Sequence, residues 1–202
     1  DSTVQSIREA VQNAEAYAQI RVREVTIGIA GAHIRSQNSS GAVAVRGREI
    51  APQDIQRVLD AARAVAVPAD REILHVVPQS YSVDDQMGIS HPLGMSGVRL
   101  EARVHIVTGA VTSAQNLIKC AQRAGLQVRG LHLQPIASSE AVLSEDERQM
   151  GVAMVDLGGG TTDLAIFLDG SIRHTAVPPI GGQNFTKDLA IGLLTLQLEA
   201  EQ

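Results

Sequence analysis

The stretch that most restricts the fold of this chain is Asp-Leu-Gly-Gly-Gly-Thr-Thr-Asp at 156–163. Apolar runs of strand length flank it, at 152–155 and 164–168, so it joins a strand to a strand and not to a helix. Three consecutive glycines remove every Cβ from the turn, which lets backbone N–H groups approach an anion, and they tolerate the positive φ that we expect here. A plain hairpin needs only one or two glycines and no aspartate at both ends. The pattern therefore predicts an anion-binding hairpin.

Donors beside carboxylates indicate a magnesium nucleotide, because Mg²⁺ keeps several waters and takes one or two carboxylates. We expect Asp156 to hold the hydrated ion, with Asp163 either supporting it through water or only bracing the turn. The residues expected to grip the β- and γ-phosphates are Gly158, Gly159, Gly160, Thr161 and Thr162.

A second glycine pair, Gly181-Gly182, opens a predicted helix with Phe185 and Leu189 on one side. Its N–H groups and the helix dipole are expected to face the same anion. Such a pair is a weak signal by itself, because glycines are common in loops; its place downstream of the first turn strengthens it.

Other phosphate-binding and catalytic patterns are missing from the sequence. No Gly-Lys pair forms a Walker loop, and the dinucleotide fingerprint lacks its third glycine at Asp163. Gly94 to Gly97 miss the spacing of a hydrolase elbow. The six histidines show no paired metal-ligand spacing, so we interpret them as structural or solvated.

Composition argues against nucleic acid as a partner. The net charge is −5, only Lys119 and Lys187 are lysines, and aromatic residues make up 2% of the chain. With 44% hydrophobic and 19% charged residues, a packed core is expected. The single cysteine, Cys120, is expected to be a small buried apolar residue, and no apolar run is long enough to span a membrane.

The hydrophobic pattern predicts an alternation of helices and strands, hence an α/β chain of mixed α+β character. After a helix at 2–18 and a strand at 25–29, the order strand, helix, strand, strand follows. Pro78 is expected to interrupt one of those strands, and 84–97 is expected to be a loop. Thr112 or Ser113 is predicted to cap a helix, and the acidic run 144–149 is predicted to be a surface connector.

Three segments resemble the superfamily of actin, hexokinase and the heat-shock chaperones. Residues 152–163 resemble its second phosphate loop, and 134–138 (Gln-Pro-Ile-Ala-Ser) resemble the helix opening that faces the γ-phosphate. Residues Ala200-Glu201 are similar to the start of a helix whose glutamate approaches the ribose. The resemblance implies that Gln134 orients an attacking water, or else simply caps its helix, and that Glu201 lines the nucleotide floor with Gly181 and Gly182.

A finer resemblance, to the FtsA family of bacterial cell-division proteins, covers nearly the whole chain. It rests on several motifs in one order: Ile73 to Gln79, Gly88 to Pro92, Gly94-Met95, Arg99-Leu100, Val104-His105, Ala137 to Ser139, Arg173 to Thr175 and Pro179-Ile180. The family implies an incomplete actin-like ATPase fold with a small strand-helix-strand-strand inserted domain. Residues 1–29 and 108–149 would belong to the first actin-like domain, 30–107 to the insertion and 150–202 to the start of the second actin-like domain.

The same resemblance implies a scaffold that binds ATP and Mg²⁺ with little or no turnover. It implies self-association, tethering of FtsZ to the inner membrane, and recruitment of FtsN and other later divisome proteins, some of them through 30–107. The expected location is the cytoplasmic face of the membrane at the division site. We expect this chain to be an internal fragment that lacks the first phosphate loop, the FtsZ site and a carboxy-terminal membrane helix, and that alone binds ATP weakly or not at all.

Two other members of the superfamily stay open as alternatives. A pilus-assembly protein similar to PilM would differ in its partner and not in its chemistry. A small-molecule kinase would need a catalytic aspartate near the first sheet, and the sequence offers no candidate there.

Overall fold

The computed structural model describes residues 2–201, which form α-helices and three β-sheets. The helices are α1 (Ser2–Ala18), α2 (Pro52–Arg63), α3 (Val111–Arg123), α4 (Gln134–Val142), α5 (Glu145–Met150), α6 (Gly182–Gly192) and α7 (Gln197–Ala200). The strands are β1 (Glu24–Ile29), β2 (Arg35–Ala44), β3 (Arg71–Val83), β4 (Gln86–Ile89), β5 (Arg99–Ala110), β6 (Gln127–Leu133), β7 (Val152–Leu157), β8 (Thr162–Leu168) and β9 (Ser171–Ala176).

The largest sheet is antiparallel, with the strand order β2-β5-β3-β4. Helix α2 packs on one face of it, over a core that includes Val58 and Leu100, both fully buried. The approach is so close at Gly41 that a Cβ atom there would lie 2.3 Å from the backbone nitrogen of Ala62. The opposite face contacts β9 and β6, so β5 is covered on both sides and residues 104–109 are all buried.

A parallel pair of strands forms the second sheet. Strand β1 pairs with β6, with Ile29 opposite Leu133, and both side chains are fully buried. They share a core with Val107 at the end of β5 and Ala114 in α3. The strands of the largest sheet all lie between β1 and β6 in the chain, so we call it the inserted sheet. The shared core joins it to the elements before and after it.

The third sheet is the antiparallel meander β7-β8-β9, which carries the glycine-rich turn. Met154, Ala165 and Phe167 face its core, and α4 and α5 contact β8. The turn from β8 to β9 is tight, with φ of 54° at Asp169 and 71° at Gly170, the positive values that an Asp-Gly pair favours in a hairpin turn.

A buried polar joint connects the inserted sheet to β9. His105 on β5 hydrogen-bonds Asn38 on β2 through Nδ1 (2.7 Å) and Thr175 on β9 through Nε2 (2.9 Å). The Gln79 amide donates to the carbonyl of Ile172 at 2.7 Å. His105 is 1% exposed, so the centre of this joint is shielded from water, although Asn38 at its edge is exposed.

Four local predictions are wrong, for identifiable reasons. Strand β3 runs through Pro78 without a break, because a register shift next to it accommodates the missing N–H group. The expected loop 84–97 contains β4, which pairs with β3. Helix α3 begins at Val111 directly after β5, with no side-chain cap. The acidic run forms α5 because Ser144 and Glu147 build a capping box.

The remaining predicted helices and strands are present at or near their expected places, so the chain has the α/β character predicted for it. The boundaries 29/30, 107/108 and 149/150 stay a prediction. Over residues 2–201, no helix combines the length and the apolar character needed to cross a membrane.

Candidate functional site

The glycine-rich turn closes the hairpin of β7 and β8. Asp156 lies opposite Asp163, and Leu157 opposite Thr162, in the last two pairs of the ladder. The N–H of Gly158 then donates to the carbonyl of Thr161 at 2.9 Å. This hydrogen bond closes the turn and fixes Gly158 against Thr161.

The N-terminus of α6 docks on the carbonyl side of this turn. Gly182 N–H donates to the Gly158 carbonyl (2.9 Å), and Gln183 N–H donates to the Gly159 carbonyl (2.8 Å). A Cβ on Gly181 would lie 2.5 Å from the Gly158 oxygen, so Gly181 must be glycine for this contact. Since the C=O and N–H of a trans peptide point in opposite directions, the N–H groups of Gly159 and Gly160 point away from α6.

Three consecutive donors of the turn have no protein acceptor. Within residues 2–201, the N–H groups of Gly159, Gly160 and Thr161 make no hydrogen bond. The predicted need for positive φ is wrong, because none of the three glycines has a positive φ. No atom comes within 4 Å of a Cβ built on Gly160. The protein's own packing therefore does not explain a glycine there, whereas an approaching ligand would.

The two threonines differ in what their side chains do. The Thr162 hydroxyl donates to the carbonyl of Ile180 at 2.7 Å, and its N–H donates to the Pro178 carbonyl. Thr162 thus ties β8 to the segment before α6, and its hydroxyl proton is already used. The Thr161 hydroxyl makes no hydrogen bond in the described part of the chain and remains available beside the free N–H groups.

The carboxylates of the turn lie in different surroundings. Asp163 is 3% exposed, and its buried Oδ1 has no hydrogen-bond partner among residues 2–201. Burial, and next the nearby Asp156, raise the pKa of Asp163 to about 6. Asp156 is half-buried and accepts a hydrogen bond from Ser138 Oγ to Oδ2 at 3.1 Å. An orphaned buried carboxylate oxygen fits a site that is completed by a cation or its water.

The two carboxylates suit Mg²⁺, which takes few protein ligands, better than a metal ion that is coordinated by protein side chains alone. No three His, Cys, Asp or Glu side chains of residues 2–201 come together as a metal site. Asp156 and Asp163 would hold the ion with water and with oxygens of a ligand, as Mg²⁺ prefers.

Helix α4 carries Gln134 to the edge of this site. Gln134 is exposed and lies one turn before Ser138 on the same helix face, because residues four apart are neighbours. Its Cγ lies 4.0 Å from a Cβ built on Gly28 in β1. The capping alternative is not supported, because the N-cap of α4 is Leu133 and no side-chain cap bond forms. Ser138, bonded to Asp156, is the site residue that our interpretation of the sequence missed; its spacing from Gln134 was the available signal.

The second glycine pair lies at the turn, but in another role than expected. The N–H of Gly181 donates to Asn184 Oδ1 (2.9 Å) and that of Gly182 to the turn, so neither faces an anion. The pair positions the turn instead. Glu201 follows α7 and is exposed, and in the described part of the chain no hydrogen bond or ion pair joins it to the turn.

Comparison with protein families gives two matches of related description. The family model of the SHS2 domain inserted in FtsA matches residues 31–108. The family model of cell division protein FtsA matches residues 153–202, which include the glycine-rich turn.

Curated relatives extend this similarity over the whole chain. Cell division protein FtsA of Pseudomonas aeruginosa is 55% identical over 202 residues, all of this chain and 48% of the relative. FtsA of Escherichia coli K12 is 40% identical over 201 residues, 100% of this chain and 48% of the relative. The chain thus spans about half the length of the curated relatives it matches.

Among solved structures, a chain of the PilM-PilN type IV pilus biogenesis complex has a similar fold. The TM-score is 0.68 at 16% identity, over 99% of this chain and 54% of that chain. This likeness shows the fold alone. With the SHS2 match it confirms the predicted actin-like α/β fold with an inserted domain, in which β4 adds a short strand to the predicted order of strand, helix, strand, strand. Matched by both FtsA family models and by FtsA relatives along its whole length, the chain belongs to the FtsA family of cell division proteins.

Proposed function

We propose that this chain forms one wall of an ATP site in a cell-division scaffold. The observation that carries the proposal is the row of three free N–H groups, Gly159 to Thr161, on an uncrowded turn beside two carboxylates. Phosphate oxygens need such donors, and a cation offsets the negative charge of both the phosphates and the aspartates.

In this proposal each element of the site has a distinct task. The free N–H groups and the Thr161 hydroxyl donate to the β- and γ-phosphates. Asp156 and Asp163 hold the hydrated Mg²⁺, whose charge neutralises the phosphates when it is bound. Gly181 and Gly182, with Thr162, keep the turn in place.

Two further residues complete the proposed site. Gln134 orients a water near the γ-phosphate, since its amide can both donate and accept. Glu201, which follows α7, approaches the ribose. We expect slow or negligible ATP hydrolysis, because the proposed role is that of a scaffold controlled by nucleotide binding and not by turnover.

The proposed biological role follows from the family. Nucleotide binding would bias the contacts between subunits, so that ATP controls self-assembly. The whole protein would tether FtsZ to the inner membrane from its cytoplasmic face and recruit later divisome proteins such as FtsN, in part through residues 30–107. These partners and this location are proposals, because the chain spans about half of its relatives.

A pair of matched glycine variants tests the nucleotide site. Gly160→Val adds a side chain where no protein atom lies within 4 Å, and so does Gly130→Val on β6, away from the turn. Both variants should fold, but only Gly160→Val should lose binding of a fluorescent ATP analogue with Mg²⁺ to the protein in its full natural length. Asp156→Ala should lose it as well. Equal affinity in Gly160→Val and Gly130→Val would place the nucleotide elsewhere.

Two assays separate the proposal from its alternatives. In a pull-down, the full-length protein should retain an FtsZ peptide and not a pilus-protein peptide; the reverse would favour a PilM-like role. A coupled ATP-consumption assay with sugars and short polyols should show no stimulation, whereas stimulation by one of them would favour a small-molecule kinase.

A further inference from the structure

We propose that Ser138 is a positioning residue that fixes Asp156 for the cation. This inference rests on the proposed nucleotide site and goes beyond it, because it assigns the cation dependence of binding to a hydroxyl outside the glycine-rich turn. The carrying observation is the hydrogen bond from Ser138 Oγ to Asp156 Oδ2 at 3.1 Å.

Asp156 needs such a restraint because of its neighbour. It stands directly opposite Asp163 in the ladder, and like charges opposite each other repel. Without a partner, the half-buried Asp156 side chain would rotate away from Asp163 toward solvent. The Ser138 hydroxyl has one proton, and donating it to Oδ2 leaves Oδ1 of Asp156 without a hydrogen bond inside residues 2–201.

Helix α4 is rigid enough to make Ser138 an effective restraint. Pro135 and Ser139 are buried, and the Ser139 hydroxyl donates to the Pro135 carbonyl at 2.6 Å. Arg148 in α5 donates to the Ser139 carbonyl at 2.9 Å. The two consecutive serines therefore differ: Ser138 bonds the carboxylate of another element, whereas Ser139 bonds its own helix.

The test separates cation dependence from nucleotide binding. Equilibrium binding of a fluorescent ATP analogue to the protein in its full natural length is measured by anisotropy, in a Mg²⁺ titration and in excess EDTA. Ser138→Ala should raise the Mg²⁺ concentration for half-maximal binding about tenfold, as expected for a lost hydrogen bond to a charged group. Affinity in EDTA should not change. Ser138→Thr keeps the hydroxyl and should restore the Mg²⁺ dependence.

Ser139→Ala is the matched control. It should lower the melting temperature, because a buried hydroxyl is removed, but leave the Mg²⁺ titration unchanged. The inference is overturned if Ser138→Ala titrates like the wild type, or if it loses affinity equally with and without Mg²⁺. The proposed nucleotide site would survive either result provided that Gly160→Val still abolishes binding, so the two failures are distinguishable.

Discussion

Asp156 and Asp163 face each other across the last pairs of the β7-β8 ladder, but only Asp163 is buried, and its Oδ1 has no partner in the described residues. The pKa of Asp163 in the folded chain, about 6, lies above the ordinary value of 3.8. Between these values the folded chain holds a proton that the unfolded chain releases. In the absence of cation, this group therefore lowers stability as pH rises from about 4 to about 6.

We predict that Asp163→Asn removes this pH-dependent loss. Relative to wild type, the free energy of unfolding of the variant should rise by up to about 3 kcal/mol from pH 4 to pH 7, since one pKa unit corresponds to about 1.4 kcal/mol. Urea unfolding without Mg²⁺, at several pH values, measures the difference. Parallel pH curves for variant and wild type would contradict the assignment.

His105 should show the opposite dependence. Burial, and next the nearby His174, lower the pKa of His105 from 6.5 to about 4. The unfolded chain therefore binds a proton that the folded chain does not, and stability contributed by the neutral His105 is lost as pH falls from 6.5 toward 4. The hydrogen bonds are those of a neutral imidazole. Because Asn38 Oδ1 can only accept, Nδ1 donates to it, and Nε2 accepts from the Thr175 hydroxyl.

His105→Gln should eliminate this acid-induced loss. The variant is expected to be less stable at pH 7, because the joint is disturbed, and to approach wild type by up to about 3 kcal/mol as pH falls to 4. The windows of His105 and Asp163 overlap, so the wild-type curve alone does not separate them. For each variant, the difference from wild type in the free energy of unfolding is followed against pH. With rising pH the difference should increase for Asp163→Asn and decrease for His105→Gln. If both changed in the same direction, one of the two pKa assignments would be refuted.

Docking of α6 on the turn leads to a third prediction. Gly181→Val would place a Cβ 2.5 Å from the Gly158 oxygen, so the backbone of the turn or of α6 must move. Overpacking of this kind lowers the free energy of unfolding by about 1–3 kcal/mol. Gly192→Val, at the other end of α6, meets no atom within 4 Å and serves as control. Urea unfolding should show a loss of stability, and the amides of Gly182 and Gln183 a loss of exchange protection, only in Gly181→Val. Equal behaviour of the two variants would mean that the turn does not depend on this contact.

A fourth prediction concerns the inserted sheet. Gly41→Ala would place its methyl group 2.3 Å from the Ala62 nitrogen, in the backbone of α2, and should destabilise the chain by about 3 kcal/mol, the upper end of the usual cost of overpacking. At Gly47, an added Cβ comes no closer than 3.5 Å to Glu49, so Gly47→Ala should be nearly neutral. Thermal unfolding compares the two. A tolerated Gly41→Ala would show that α2 and β2 are packed less closely.

Features set by short-range chemistry were predictable from the sequence. The hairpin between β7 and β8 and the Asp169-Gly170 turn depend on residues next to one another in the chain. The capping box of Ser144 and Glu147 was equally local and was overlooked.

Features set by distant partners were not predictable in the same way. Strand β2 begins at Arg35 in a polar run because Ser36 and Asn38 bond carbonyl groups of β9, more than 130 positions away in sequence. The bond between Ser138 and Asp156 and the capture of the Gly181-Gly182 N–H groups likewise require the packed fold. At the candidate site, the sequence thus pointed to the glycine-rich turn but not to Ser138, and the structure revised the contacts expected of several predicted site residues.

Only a short segment connects Thr175 to Gly181 along the chain. Thr175 hydrogen-bonds His105 at the polar joint, and Gly181 packs against the glycine-rich turn. Six residues of fully extended backbone reach at most about 21 Å. The inserted sheet and the turn consequently cannot drift farther apart than this while both ends stay attached. A larger rigid-body rotation of the inserted sheet must therefore break the hydrogen bond between His105 and Thr175 or displace the β7-β8 hairpin.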